Sequence, residues 1–152
     1  MNEQANIELV RQGYEAFGRG DIQGLLGLCA QDIEWTLPEV EGIAFTGKRH
    51  GLGQLADFFR VMDECQETRE FSTDQFLAKG DQVVVLGHGT FAVRTTGTEY
   101  SDDWCHVFRI ADGKIAGFKE YYDSHKAAQA YQAQGAGAGA AAGQGVTRPA
   151  VH

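Results

Sequence analysis

The chain has 152 residues, about one domain's worth, and is 43% hydrophobic and 22% charged, a balance that supplies one core without disulfide or metal staples. Thirteen Lys and Arg against 21 Asp and Glu give a net charge of −8. That surface repels phosphate, so neither nucleic acid nor an anionic membrane is an expected partner.

Cys29, Cys65 and Cys105 lack CxxC spacing, are odd in number and sit in apolar surroundings, which reads as free thiols in a reducing compartment. Residues 1–4 show no basic patch leading into an apolar run, and no stretch of about 18 apolar residues exists. A cytoplasmic protein is the expectation.

Ile7, Val10, Tyr14 and Phe17, spaced by three and four, predict a helix over residues 3–18. Gly18 and Gly20 end it, and Asp21 caps a second helix whose buried side is Ile22, Leu25, Leu26, Leu28 and Cys29. Asp32 to Leu37 alternates polar and apolar residues, which predicts a strand stopped by Pro38. A loop through Gly42 and Gly47 leads to a third helix over 50–64, with Leu52, Leu55, Phe58, Phe59 and Met62 inward.

The second half is strand-rich. Arg69–Ala78, Gln82–Arg94, Tyr100–Ile110 and Lys114–Tyr122 are predicted strands, separated by Lys79-Gly80-Asp81, Thr95-Thr96-Gly97-Thr98 and Asp112-Gly113. Asp-Gly between apolar runs is a strong hairpin signal. Asp123 caps a closing helix. From Gly135 the chain is almost wholly glycine and alanine, so the folded unit is expected over 1–131 and a disordered tail over 132–152. Helices first and antiparallel strands last predict an α+β fold, in which a strongly curved sheet wrapped over three helices leaves a cavity.

Three segments carry a family resemblance: Tyr14 to Asp21 (YEAFGRGD), Cys29 to Trp35 (CAQDIEW), and Trp104 to Ile115 followed by Glu120-Tyr121-Tyr122-Asp123. Over residues 3–128 the chain resembles the SnoaL-like and ketosteroid-isomerase-like proteins of the nuclear-transport-factor-2-like superfamily. The resemblance implies a cone-shaped α+β barrel, with three N-terminal helices packed on a mixed, mostly antiparallel sheet. It also implies a homodimer and a pocket for an apolar small molecule. The superfamily includes both enzymes and non-catalytic proteins, so the fold does not name a reaction.

Alternation places Trp104, His106 and Phe108 on one face of their strand, and Phe118, Glu120 and Tyr122 on one face of the next. It does not say which faces look inward. A three-residue loop pairs His106 with Phe118 and Trp104 with Glu120; a two-residue loop shifts the register by one. By resemblance to the SnoaL-like cyclases, Glu120 is the pocket carboxylate and His106 lies opposite it. A carboxylate held among rings loses solvation, which suits it to acid or base work near neutral pH. His106 then shares the proton or polarises a ligand carbonyl. The competing readings are an outer-face ion pair for Glu120 and a core or interface role for His106.

Trp104, Phe118, Tyr122, Trp35 and Tyr14 are candidate pocket walls, as aromatics offer broad apolar contact. His88, between Gly87 and Gly89, is a candidate ligand contact, with solvent or a partner subunit as the other destinations. No His, Asp or Glu set has metal spacing, no phosphate-binding glycine loop is present, and no cofactor is implied.

Two departures narrow the chemistry. Leu37 stands before Pro38 where ketosteroid isomerase carries its base, and Gly87-His88-Gly89-Thr90-Phe91 lacks the Arg and Asp of the epoxide hydrolases. A cofactor-independent cyclase- or isomerase-type proton transfer at Glu120 survives. A non-catalytic binding or dimeric interaction module is the other reading.

Overall fold

A computed structural model describes residues 2–140. In chain order the elements are α1 (Glu3–Gly18), α2 (Ile22–Gly27), β1 (Cys29–Leu37), β2 (Gly47–His50), α3 (Gly51–Cys65), β3 (Gln66–Lys79), β4 (Gln82–Val93), β5 (Glu99–Ala111), β6 (Lys114–Tyr122) and α4 (Ser124–Ala140). The six strands form one sheet in the order β2-β1-β6-β5-β4-β3. Only β1 and β6 run parallel; the other neighbours are antiparallel. The sheet is open, and the fold is the mixed α+β cone that the residue patterns and the resemblance anticipate.

Local chemistry sets the element ends. The Asn2 side chain accepts from the Ala5 N–H and caps α1, and Asp21 does the same for α2 through Gly24. Asp123 Oδ1 accepts from His125 and Lys126 at 3.1 and 3.2 Å, which caps α4; each such cap is worth about 1 kcal/mol. Asp112 and Gly113 both have positive φ, 52° and 73°, the combination a two-residue type I′ hairpin turn requires. Ile33, Leu55, Val83, Val85, Ile110 and Ile115 are fully buried between sheet and helices.

The sequence reading departs from the structure in four places. Cys29 opens β1 instead of closing α2. Part of the loop before α3 is β2, which is a strand because it pairs back onto β1 across the intervening loop and not because of its own pattern. The β5–β6 hairpin follows neither forecast register. Its two-residue turn pairs Ala111 with Lys114, and an irregularity after Ile110–Ile115 then sets His106 opposite Glu120 and Trp104 opposite Tyr122. An extra residue in one strand of this kind reverses which side chains share a face beyond it. Finally, α4 carries on to Ala140, into the glycine- and alanine-rich stretch; residues 141–152 lie outside the described residues.

Candidate functional site

The inward faces of α1, α3, β1, β5 and β6 meet around a cavity of about 110 Å³. An engineered cavity of about 150 Å³ holds one benzene molecule, so the space suits a ligand of roughly one ring. Aromatic packing shapes it. Trp35 on β1 stacks on Phe118 of the adjacent β6 with ring centroids 3.8 Å apart, and Trp104 stacks on His106 at 4.0 Å. Phe58, Phe59 and Met62 of α3 line it from the helix side.

The bulge in β6 does the positioning. It turns Phe118, Glu120 and Tyr122 to the same side as Trp104, His106 and Phe108, and all six line the cavity. Tyr14 on α1 completes a chain of hydrogen bonds. Its hydroxyl lies 2.6 Å from His106 Nδ1, and His106 Nε2 lies 2.9 Å from Glu120 Oε2. Side-chain exposure is 8% for His106 and 19% for Glu120, so the pair is shielded while the acid keeps some access. Burial first, and the Glu120 charge second, push the Tyr14 hydroxyl well above its ordinary value; it remains a phenol that donates to Nδ1. With Nδ1 accepting from Tyr14, the imidazole hydrogen on Nε2 faces Glu120.

Tyr14, Trp35, Trp104, His106, Phe118, Glu120 and Tyr122 are thus brought together around one space. His88 is not. It sits on the outer face of β4, with Nδ1 2.8 Å from the largely exposed Asp103 of β5. Strand parity sends it there, because its neighbours Gly87 and Gly89 take the inward positions. The space beside those glycines is filled by the protein itself: a Cβ at Gly87 would collide with the Trp104 indole and the Ser72 carbonyl, and one at Gly89 with Phe91.

Sequence reasoning missed two polar features. Asp102 lines the cavity and is 5% exposed; the alternation that groups Trp104 with His106 also includes it. Burial above all pushes its carboxyl up to about 6, against a hydrogen bond from the Asp123 N–H that favours the charged form. The second feature is Gln66, whose Oε1 accepts from Tyr100 at 2.9 Å and from Tyr131 of α4 at 2.5 Å. No periodic signal marks Gln66, which opens β3 and is paired by residues more than thirty positions away. Among the described residues, no group of three or more His, Cys, Asp or Glu is placed to hold a metal ion. No helix among them is long and apolar enough to cross a membrane.

A curved α+β sheet folded over helices, with a ring-lined cavity and a few polar groups converging in it, defines a cone of the nuclear-transport-factor-2-like class. The chain belongs to the SnoaL-like domain family, whose model matches residues 10–118. An NTF2-like protein from Burkholderia xenovorans LB400 is 32% identical, covers 86% of this chain and 98% of its own, and superposes with a TM-score of 0.77. TerC, crystallised with polyporic acid, is 28% identical over 84% of this chain and 98% of its own, with a TM-score of 0.73. A Mycobacterium tuberculosis protein is 26% identical over 135 residues, 88% of this chain and 100% of that one.

Proposed function

We propose that the cavity binds a small, mostly apolar cyclic molecule of about one ring, and that Glu120 moves a proton at a carbon beside the ligand's carbonyl. One observation carries the reading: the buried chain Tyr14–His106–Glu120 ends on an acid that lines an aromatic cavity. In this reading Glu120 takes the proton. His106 holds the carboxylate through Nε2–H and lowers the cost of charge in an apolar setting. Tyr14 fixes the imidazole tautomer. The similarity to TerC, crystallised with polyporic acid, supports a small-molecule site. No cofactor enters this scheme.

The test reads proton transfer at carbon without needing the product. Incubated with acetophenone in deuterated buffer, the protein is expected to accelerate exchange of the protons beside the carbonyl, followed by NMR. Glu120→Gln lowers that rate about 100-fold or more, as removal of a general base does. Exchange no faster than buffer, or unchanged in the variant, overturns the reading. A second reading, carriage without catalysis, is favoured by Leu37: it lines the cavity before Pro38 and offers no base. Acetophenone binding without exchange would decide for it.

We also propose that two copies pair through the outer sheet face. Leu86, Cys105 and Tyr121 are register neighbours across β4, β5 and β6, and Leu86 and Tyr121 are 38% and 50% exposed. They form an apolar row on the side away from the cavity, of the kind that marks an interaction surface.

A further inference from the structure

The cavity contains a second acid that the Tyr14–His106–Glu120 chain does not use. Asp102 lies on β5 four residues before His106 and shares its inward face. Its two oxygens are held differently. Oδ1 accepts the backbone N–H of Asp123 at 3.2 Å. Oδ2 is fully buried and has no hydrogen-bond partner. Lys126, at the start of α4, does not neutralise it by hydrogen bonding: its ammonium donates to the Ser101 carbonyl at 2.8 Å. Two buried donors are in the same condition, Trp35 Nε1 and Trp104 Nε1, and both side chains line the same cavity. A folded chain rarely buries such atoms unsatisfied, because each costs about 1–3 kcal/mol. One acceptor and two donors, all on side chains that line one ring-sized space, are the groups that a ligand there would pair.

We propose that Asp102 is a specificity-determining residue, whose Oδ2 accepts a hydrogen bond from a ring hydroxyl of the ligand while a carbonyl on the same ligand meets the indole N–H groups. The inference rests on the reading of this cavity as a ligand site and adds to it the class of ligand, a hydroxylated ring bearing a carbonyl. It also gives Asp102 a role separate from that of Glu120: one acid recognises an O–H group and the other handles the proton at carbon.

Asp102→Asn inverts the polarity of this contact without changing its shape. The Asp123 N–H still needs an acceptor, so the amide oxygen stays there and the NH₂ takes the place of Oδ2. The experiment measures affinities for 4-hydroxyacetophenone and 4-methylacetophenone by calorimetry, with the parent chain, Asp102→Asn and Glu34→Gln. The parent is expected to prefer the hydroxy probe by about tenfold or more, the worth of one hydrogen bond to a charged acceptor. In Asp102→Asn the preference shrinks to within about twofold, while Glu34→Gln, at an exposed position of β1 outside the cavity, keeps it. Equal affinity ratios in the parent and Asp102→Asn overturn the proposal alone, leaving Asp102 as a tie between β5 and the start of α4. Failure of both probes to bind the parent overturns the ligand-site reading and this proposal with it. Should Asp102→Asn not fold, 4-methoxyacetophenone against the parent gives the same answer: the methoxy oxygen cannot donate, so affinity equal to that of the hydroxy probe sinks the idea.

Discussion

His106 and Glu120 are direct cross-strand partners on β5 and β6, and their side chains meet at 2.9 Å on the cavity side of the sheet. Opposed residues of an antiparallel pair sit close enough for side chains to bond without strain. The contact is therefore built into the strand register, and Tyr14 reaches it from a different element, α1.

That arrangement makes the three residues one unit. Tyr14→Phe, which removes only the hydroxyl facing Nδ1, is expected to slow acetophenone exchange about five- to tenfold, and Glu120→Gln about 100-fold or more. The double variant should match Glu120→Gln alone, since groups acting as a unit are not additive. Multiplied effects in exchange kinetics would show that Tyr14 acts independently of the acid.

Asp102 gives the fold a pH signature. Its carboxyl is pushed up from 3.8 to about 6, chiefly by burial. The folded chain therefore holds this proton more tightly than the unfolded chain does. The stabilisation is complete below 3.8 and is lost as pH rises to about 6. Asp102→Asn has no such charge to bury, so its stability relative to the parent should rise by about 1–3 kcal/mol between pH 4 and pH 7. Urea unfolding at the two pH values measures it, and a pH-independent difference would contradict the assignment. The backbone of Asp123 and the charges of Asp123, Lys126 and Glu120 act on the same group, which is why the difference between parent and variant is the informative quantity.

Gly87 has no room for a methyl group. An added Cβ meets the Trp104 indole on one side and the immovable Ser72 carbonyl on the other. Gly87→Ala is expected to destabilise the fold by about 1–3 kcal/mol, the usual range for overpacking. It should also weaken probe binding, because Trp104 must shift out of its stack on His106. Thermal unfolding and calorimetry on the same sample test both effects.

The proposed pairing through the outer face predicts a dimer at micromolar concentration by sedimentation. Tyr121→Glu should yield a folded monomer, because it places a charge in the apolar row of Leu86, Cys105 and Tyr121 and desolvating that charge opposes association. A monomeric parent chain would remove this proposal and leave the cavity chemistry untouched.

The elements and the site were legible to different degrees. The stripe through Val10, Tyr14 and Phe17, the alternation of β5 and the Asp112-Gly113 turn are local patterns, and each sits where periodicity and turn chemistry put it. Glu120 and His106 could be named as candidates because the family resemblance pointed to them, while strand parity grouped them with their neighbours without saying which face looks inward. Asp102 was equally visible by parity, being two residues from Trp104, yet nothing in the sequence marks it as dry. That dryness depends on the Asp123 backbone closing over it.

The amino-acid sequence by itself determined which residues share a strand face, where the chain turns and caps, and that the fold is α+β, since these follow from spacing and from φ preferences within a few residues. Only the tertiary structure decided which partner each face meets. The irregularity between Arg109 and Ile110 in the β5–β6 pairing sets His106 against Glu120, β2 exists because β1 pairs with it, and His88 points outward because its flanking glycines admit rings behind them. Register is a long-range quantity: one extra residue in a strand changes every partner beyond it, and no window of neighbouring residues carries that information.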